Sequence, residues 1–117
     1  MLNLNYRDPR PIYEQIRTQL QKLILSGGLV PGEKLPSVRD LAAQLAINPN
    51  TIQRAYRELE AEGCILSIAG KGSFVAETAS IRVQKKEAAV SQFLASAAAL
   101  RELGLTEREL IALISQE

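Results

Sequence analysis

The sequence predicts a mostly helical α+β chain: three helices, one β-hairpin, and then two further helices. Three observations carry that prediction. Apolar residues recur at helical spacing in five separate stretches. Helix punctuation falls between those stretches, with Ser37, Asn48 and Thr106 placed to open helices and Gly27-Gly28 and Gly104 placed to close them. The period switches to that of a strand only once, after Gly63, where two short runs flank Gly70-Lys71-Gly72.

Each element follows in order. Met1–Asp8 reads as a short polar arm with no period. Pro11 suits the first turn of a helix, where its missing N–H costs nothing. Ile12, Ile16, Leu20, Leu23 and Ile24 then form one stripe that stops at Gly27-Gly28. Pro31-Gly32 marks a turn in the connection that follows. Ser37 and Asp40 make a capping box ahead of Val38, Leu41, Ala42 and Leu45, a second helix that ends near Ala46. Asn48 caps a third helix, Pro49 takes its first position, and Ile52, Ala55, Tyr56 and Leu59 line its buried face. Ile65–Ala69 and Ser73–Ala76 read as strands joined through the glycine-lysine-glycine turn, with Lys71 at the tip. Three helices and a hairpin in this order make a winged helix-turn-helix.

Composition narrows the chemistry. A chain of 117 residues supports one compact core with a small appendage. Its 46% hydrophobic and 23% charged residues fit a globular protein. No apolar run approaches the roughly 18 residues of a membrane span, and Met1–Arg10 lacks a signal peptide's apolar core. The single cysteine, Cys64, permits no internal disulfide and suits a reducing cytoplasm. The chain has no histidine, which removes the commonest general base and metal ligand. Cys64 therefore has no histidine to activate it and no second thiol for a metal site, and reads as core packing. The stretch Gly70–Ser73 fails as a phosphate loop, because Ile65 stands where the first glycine is required and Gly72 where Ser or Thr is required. Nothing in the sequence asks for a catalytic residue, a cofactor or a metal.

The third helix carries a second face. At about 100° per residue, Asn50, Gln53, Arg54 and Arg57 fall together opposite the apolar stripe, with Thr51 at the edge. Glu58, Glu60 and Glu62 gather toward the other end, where they repel phosphate. Asn, Gln and Arg in the N-terminal half of such a helix are the residues that read base edges in the major groove. The hairpin tip then reaches toward the backbone or minor groove alongside.

Four blocks, "PIYEQIRTQL", "LPSVRDLAAQL", "NTIQRAYRELEAEG" and "GKGSFVAE", occur in order with short gaps. Together they resemble the GntR family of bacterial transcription regulators over Pro11–Glu77. The resemblance implies an N-terminal winged helix that binds a double-stranded DNA operator as a dimer. It implies DNA contacts at Arg39, Asn50, Thr51, Gln53, Arg54, Gly70 and Lys71. Many members carry a basic or polar residue before the wing glycine. Here Ala69 stands there, so the wing contact rests on Lys71 and backbone amides.

Other readings compete at individual positions. Net charge is only +1, less than the basic footprint usual in DNA binders. A winged-helix module that binds protein instead of DNA fits that charge, but does not explain the Asn/Gln/Arg face. Arg57 either joins that face or pairs with Glu58 or Glu60. Arg39 lies beside a helix N-terminus, which disfavours cations locally and points to a phosphate contact. Tyr56 belongs to the apolar face and reads as core.

Residues 78–117 predict a helical tail after a DNA-binding domain of residues 1–77. Val90, Phe93, Leu94, Ala97 and Leu100 trace one stripe through an alanine-rich helix that Gly104 ends. Thr106 and Glu109 form a capping box, with Leu105 and Leu110 as a hydrophobic staple, before Leu110, Ile111, Leu113 and Ile114. Two such helices cannot enclose the ~300 Å³ of an ordinary ligand pocket, but they can bury their stripes against a second copy. The alternative is that the tail folds back on its own winged helix. Among GntR regulators this resembles the short, YtrA-type branch, whose tail serves dimerisation through Val90, Phe93, Leu94, Ala97, Leu100, Leu110, Ile111 and Ile114. The expected protein is a cytoplasmic regulator, in all a repressor-like homodimer on a pseudo-palindromic operator, with no membrane contact. A small-molecule effector is compatible with this reading, and no residue names one.

Overall fold

The computed structural model describes residues 2–116. The chain divides after Ala79 into two compact units. The first holds α1 (Ile12–Ser26), α2 (Val38–Leu45), α3 (Pro49–Ala61) and the antiparallel strands β1 (Ile65–Ile68) and β2 (Gly72–Val75). The second is formed by α4 (Ala79–Glu102) and α5 (Glu107–Ile114). The architecture is thus the mostly helical α+β winged helix that the periodicities predict, followed by two helices.

One core organises the first unit. Ile16, Leu20 and Ile24 of α1 meet Leu41 and Ala42 of α2, and Ile52, Ala55, Tyr56 and Leu59 of α3. Cys64, Ile65 and Val75 extend it beneath the wing. Removing this much apolar surface from water is what fixes α3 against α1 and α2. The predicted stripes of α1, α2 and α3 are the faces turned to this core, with Leu23, Val38 and Leu45 half-buried at its edge, and Cys64 and Tyr56 are core residues. The Tyr56 hydroxyl donates to the Pro36 carbonyl at 2.7 Å, and burial pushes its phenol up to about 12.

The helix boundaries follow their caps. Gly27 closes α1 at φ 87°, a conformation that suits glycine. The Asn48 side chain accepts from the Asn50 N–H at 2.8 Å and opens α3. Between α2 and α3 the chain turns through Ala46 at φ 55°, the one positive-φ residue other than glycine among those described. Its N–H closes the turn onto Ala42 and Ala43 carbonyls.

Four details differ from the sequence expectation. Pro11 is the N-cap of α1, not a residue of its first turn, and its carbonyl accepts from Glu14 and Gln15. At α2 the cap is one-way: Ser37 Oγ accepts from the Asp40 N–H at 3.0 Å, and no return bond from the Asp40 side chain forms. The arm is not merely polar, because Leu2 and Leu4 pack against the core. Two glutamines of α1 hold it there by their amide groups. Gln19 pairs with both the N–H and the carbonyl of Asn3, at 2.8 and 2.7 Å, and the buried Gln15 does the same for Asn5 at 2.9 Å each. Finally, the connection after α1 is part of the wing. Lys34 bridges Phe74, Gly32 N–H donates to Val75, and Leu35 N–H donates to Ser73 at 2.9 Å. β2 is consequently paired on both edges. Pro31, Gly32 and Pro36 punctuate this stretch so closely that no strand period is visible in the sequence.

In the second unit, Gly104 at φ 104° ends the segment after α4, and the Thr106–Glu109 capping box forms in both directions. α4 runs for 24 residues, beginning well before the apolar stripe at Val90.

Candidate nucleic-acid interface

α3 presents its second face as the spacing requires. Burying Ile52, Ala55, Tyr56 and Leu59 leaves Asn50, Gln53, Arg54 and Arg57 exposed. These four, with the half-buried Glu58, line an open groove of about 420 Å³. A second groove of about 570 Å³ lies between α3 and the hairpin, and Gln53, Arg57, Gly70 and Lys71 border it. Gln53 and Arg57 belong to both, so helix face and wing tip form one continuous surface.

The remaining predicted positions lie at its margins. Arg39 is exposed on the first turn of α2, next to Val38, which borders the larger groove. Thr51 is half-buried, and its N–H is held by the Asn48 carbonyl at 3.0 Å. Neither Arg39 nor Thr51 lines a groove.

Charge at the surface is better separated than the net value suggests. Glu62 is occupied by Arg17 at 3.2 Å and by Gln21, and the Glu60 carboxylate takes the hydroxyl of Ser67. Arg57 makes no ion pair with Glu58 or Glu60, so the pairing alternative for it is not realised. Glu58 and Glu60 are the exceptions on this surface: Glu58 lines the smaller groove, its Oε2 buried without a hydrogen-bond partner among the described residues, and the exposed Glu60 lines the larger one.

Arg54 is held in a way the sequence did not reveal. Its guanidinium lies 3.6 Å from the centre of the Tyr13 ring, and Nη2 donates to the Tyr13 hydroxyl at 3.0 Å. Tyr13 sits on α1, 41 residues away and off the apolar stripe. No local pattern could have linked them.

At the wing, Lys71 N–H bonds back to the Ile68 carbonyl, and Gly70 and Gly72 take φ values of 77° and 117°. Gly72 also lies against the Lys34 side chain, where an added Cβ would come within 3.1 Å of Cε. The tip is thus a tight turn that leaves the Lys71 ammonium exposed.

Residues 12–75 match the sequence pattern described as "Bacterial regulatory proteins, gntR family". The chain belongs to this family. Among relatives, it is 48% identical over 79 residues to the HTH-type transcriptional repressor YtrA of Bacillus subtilis. That match takes in 68% of the chain and 61% of YtrA, so less than two thirds of that relative's length is spanned. A crystal structure of a transcriptional regulator from Oenococcus oeni superposes over 97% of the chain and 96% of its own, with TM-score 0.76 and 30% identity. The DNA-binding domain of AraR, in complex with operator ORE1, matches 65% of the chain and 93% of its own, with TM-score 0.55 and 29% identity.

The second unit of this gntR-family chain leaves much of its apolar surface open. Phe93, Ala97 and Leu100 of α4 and Leu110, Leu113 and Ile114 of α5 line a cleft of about 220 Å³. Ala97, Leu100 and Leu110 are half-buried. Val90, Phe93, Leu94, Ile111 and Ile114 remain 47% to 62% exposed. No helix among the described residues is long and apolar enough to cross a membrane.

Proposed function

We propose that this gntR-family DNA-binding regulator represses transcription in the cytoplasm, holding a pseudo-palindromic operator as a homodimer. Residues 1–77 bind DNA and residues 78–117 join the two copies. The observation that carries this reading is the single surface on which Asn50, Gln53, Arg54 and Arg57 meet Lys71. Gln53 and Arg54 read bases, Asn50 and Arg57 flank them, and Arg39, Thr51, Lys71 and the backbone at Gly70 hold phosphates. The operator complex of the AraR domain supports the DNA assignment, and the similarity to the YtrA repressor supports repression.

Dimerisation follows from affinity. A single winged helix in a chain of net charge +1 has little general attraction for DNA. Joining two half-sites makes the second contact intramolecular and raises affinity by about 10²–10⁴. The stripe of Val90, Phe93, Leu94, Ala97 and Leu100, closed by Leu110, Ile111 and Ile114, supplies the joint.

The test pairs nuclease footprinting on the DNA upstream of the protein's own gene with sedimentation. Wild type should sediment as a dimer and protect two half-sites related by a dyad. Phe93→Asp, which buries a charge in the joint, should sediment as a monomer and protect neither at the same concentration. A dimeric Phe93→Asp variant with an intact footprint would place the joint elsewhere.

A further inference from the structure

The contact between Tyr13 and Arg54 joins a half-buried aromatic ring on α1 to an exposed cation on the face of α3. As a fold-stabilising contact it is poorly sited, since an exposed cation–π pair contributes little. Its effect on the arginine is larger. Arginine has a long side chain whose many rotamers must be given up when it binds. Here the guanidinium carbon lies 3.6 Å from the centre of the ring, and the hydroxyl at 3.0 Å takes one of the five N–H groups. Among the described residues no other hydrogen bond is made by this guanidinium, so its remaining N–H groups are open to a ligand. A guanine offers its O6 and N7 to such a fork, and the contact discriminates only if the fork arrives in the right plane.

We propose that Tyr13 is a positioning residue for base readout: it pre-orients the Arg54 guanidinium so that its free edge meets a guanine. The proposal rests on the DNA-binding reading of α3, and it adds to that surface a residue of α1 that lines neither groove. Two groups of Tyr13 act together. The ring contact restrains where the guanidinium carbon sits, and the hydroxyl bond restrains its rotation.

The test is selection of bound duplexes from a randomised DNA library, using the full chain and its variants Arg54→Ala, Tyr13→Phe, Tyr13→Leu and Arg54→Ala/Tyr13→Leu. Wild type should enrich a dyad motif, and Arg54→Ala should erase the preference at one G·C pair in each half-site. Tyr13→Leu should weaken that same position by about tenfold and leave the other positions unchanged. Tyr13→Phe, which keeps the ring, should fall between. In the Arg54→Ala background, Tyr13→Leu should change the motif no further. A melting curve for each variant separates a folding defect from a readout defect, because lost stability weakens every position alike. Three results overturn the proposal. A Tyr13→Leu motif identical to wild type, or weakened evenly across positions, removes Tyr13 from readout. An Arg54→Ala motif identical to wild type removes Arg54 and leaves DNA binding by α3 standing. A wild type that enriches no motif overturns the DNA-binding reading as well.

Discussion

Ala46 turns the chain between α2 and α3 at φ 55° and ψ 46°, so replacing it with glycine should stabilise the protein. The left-handed conformation costs a residue with a Cβ about 1–2 kcal/mol. Glycine has more freedom to lose from the unfolded chain, which offsets about 0.4–1 kcal/mol of that gain. The methyl group of Ala46 is exposed, so removing it sacrifices no buried surface. Its N–H bonds to Ala42 and Ala43 are made by the backbone and survive the change. The balance is a stabilisation of about 0.5–1 kcal/mol, which for a domain of this size raises the melting temperature by about 3–6 °C. Far-ultraviolet circular dichroism of Ala46→Gly beside wild type measures it. Ala46→Val should move the melt the other way, because a branched Cβ is worse still at positive φ. DNA binding by Ala46→Gly should match wild type, since Ala46 lines neither groove. A glycine variant that melts no higher than wild type would refute the claim that this turn holds strain.

The other expectations concern charge, the thiol and the buried phenol. Arg39→Ala and Lys71→Ala should each weaken binding to all duplexes alike and reduce the slope of log affinity against log salt by about 0.9. A loss confined to one sequence would exclude a phosphate role. Cys64 is fully buried, so Cys64→Ser should cost about 1–3 kcal/mol in urea unfolding, and mild peroxide should release neither protein from DNA. Peroxide that released wild type alone would make Cys64 a sensor. Burial raises the Tyr56 phenol to about 12, above its unfolded value of about 10, so the fold favours the neutral form. The stability tied to that preference is complete below pH about 10 and is lost as pH climbs through about 12. Tyr56→Phe should lower stability near neutral pH by about 1 kcal/mol and flatten the alkaline decline. A decline as steep as wild type would place its origin in other groups.

What could be read from the sequence was what neighbours in the sequence determine. Ile16, Leu20 and Ile24 repeat on one helix, so their burial follows from spacing alone. Asn50, Gln53, Arg54 and Arg57 share a face for the same geometric reason, and Asn48 and Thr106 cap through bonds to residues two and three positions away. What stayed hidden depends on parts of the chain far apart. The contact of Arg54 with Tyr13 needs α1 and α3 brought together. The pairing of Lys34 with Phe74 needs a connection, punctuated as a loop, to lie along a strand 40 residues later. The arm looked featureless because its partners are side-chain amides of Gln15 and Gln19, which carry no periodic signal. In each case the first contact is made by tertiary packing, to which single-sequence periodicity is blind.

The central claim is that the outward face of α3 reads sequence. The most direct measurement is competition binding of wild type and Gln53→Ala to the footprinted duplex and to a scrambled duplex of equal length. A good bidentate contact discriminates by about 1–3 kcal/mol, so Gln53→Ala should lose roughly fivefold to 150-fold of its preference for the footprinted duplex. Its affinity for the scrambled duplex should stay at the wild-type value, because that affinity comes from phosphate contacts the variant keeps. Undiminished preference in Gln53→Ala, or an equal loss on both duplexes, would contradict the account.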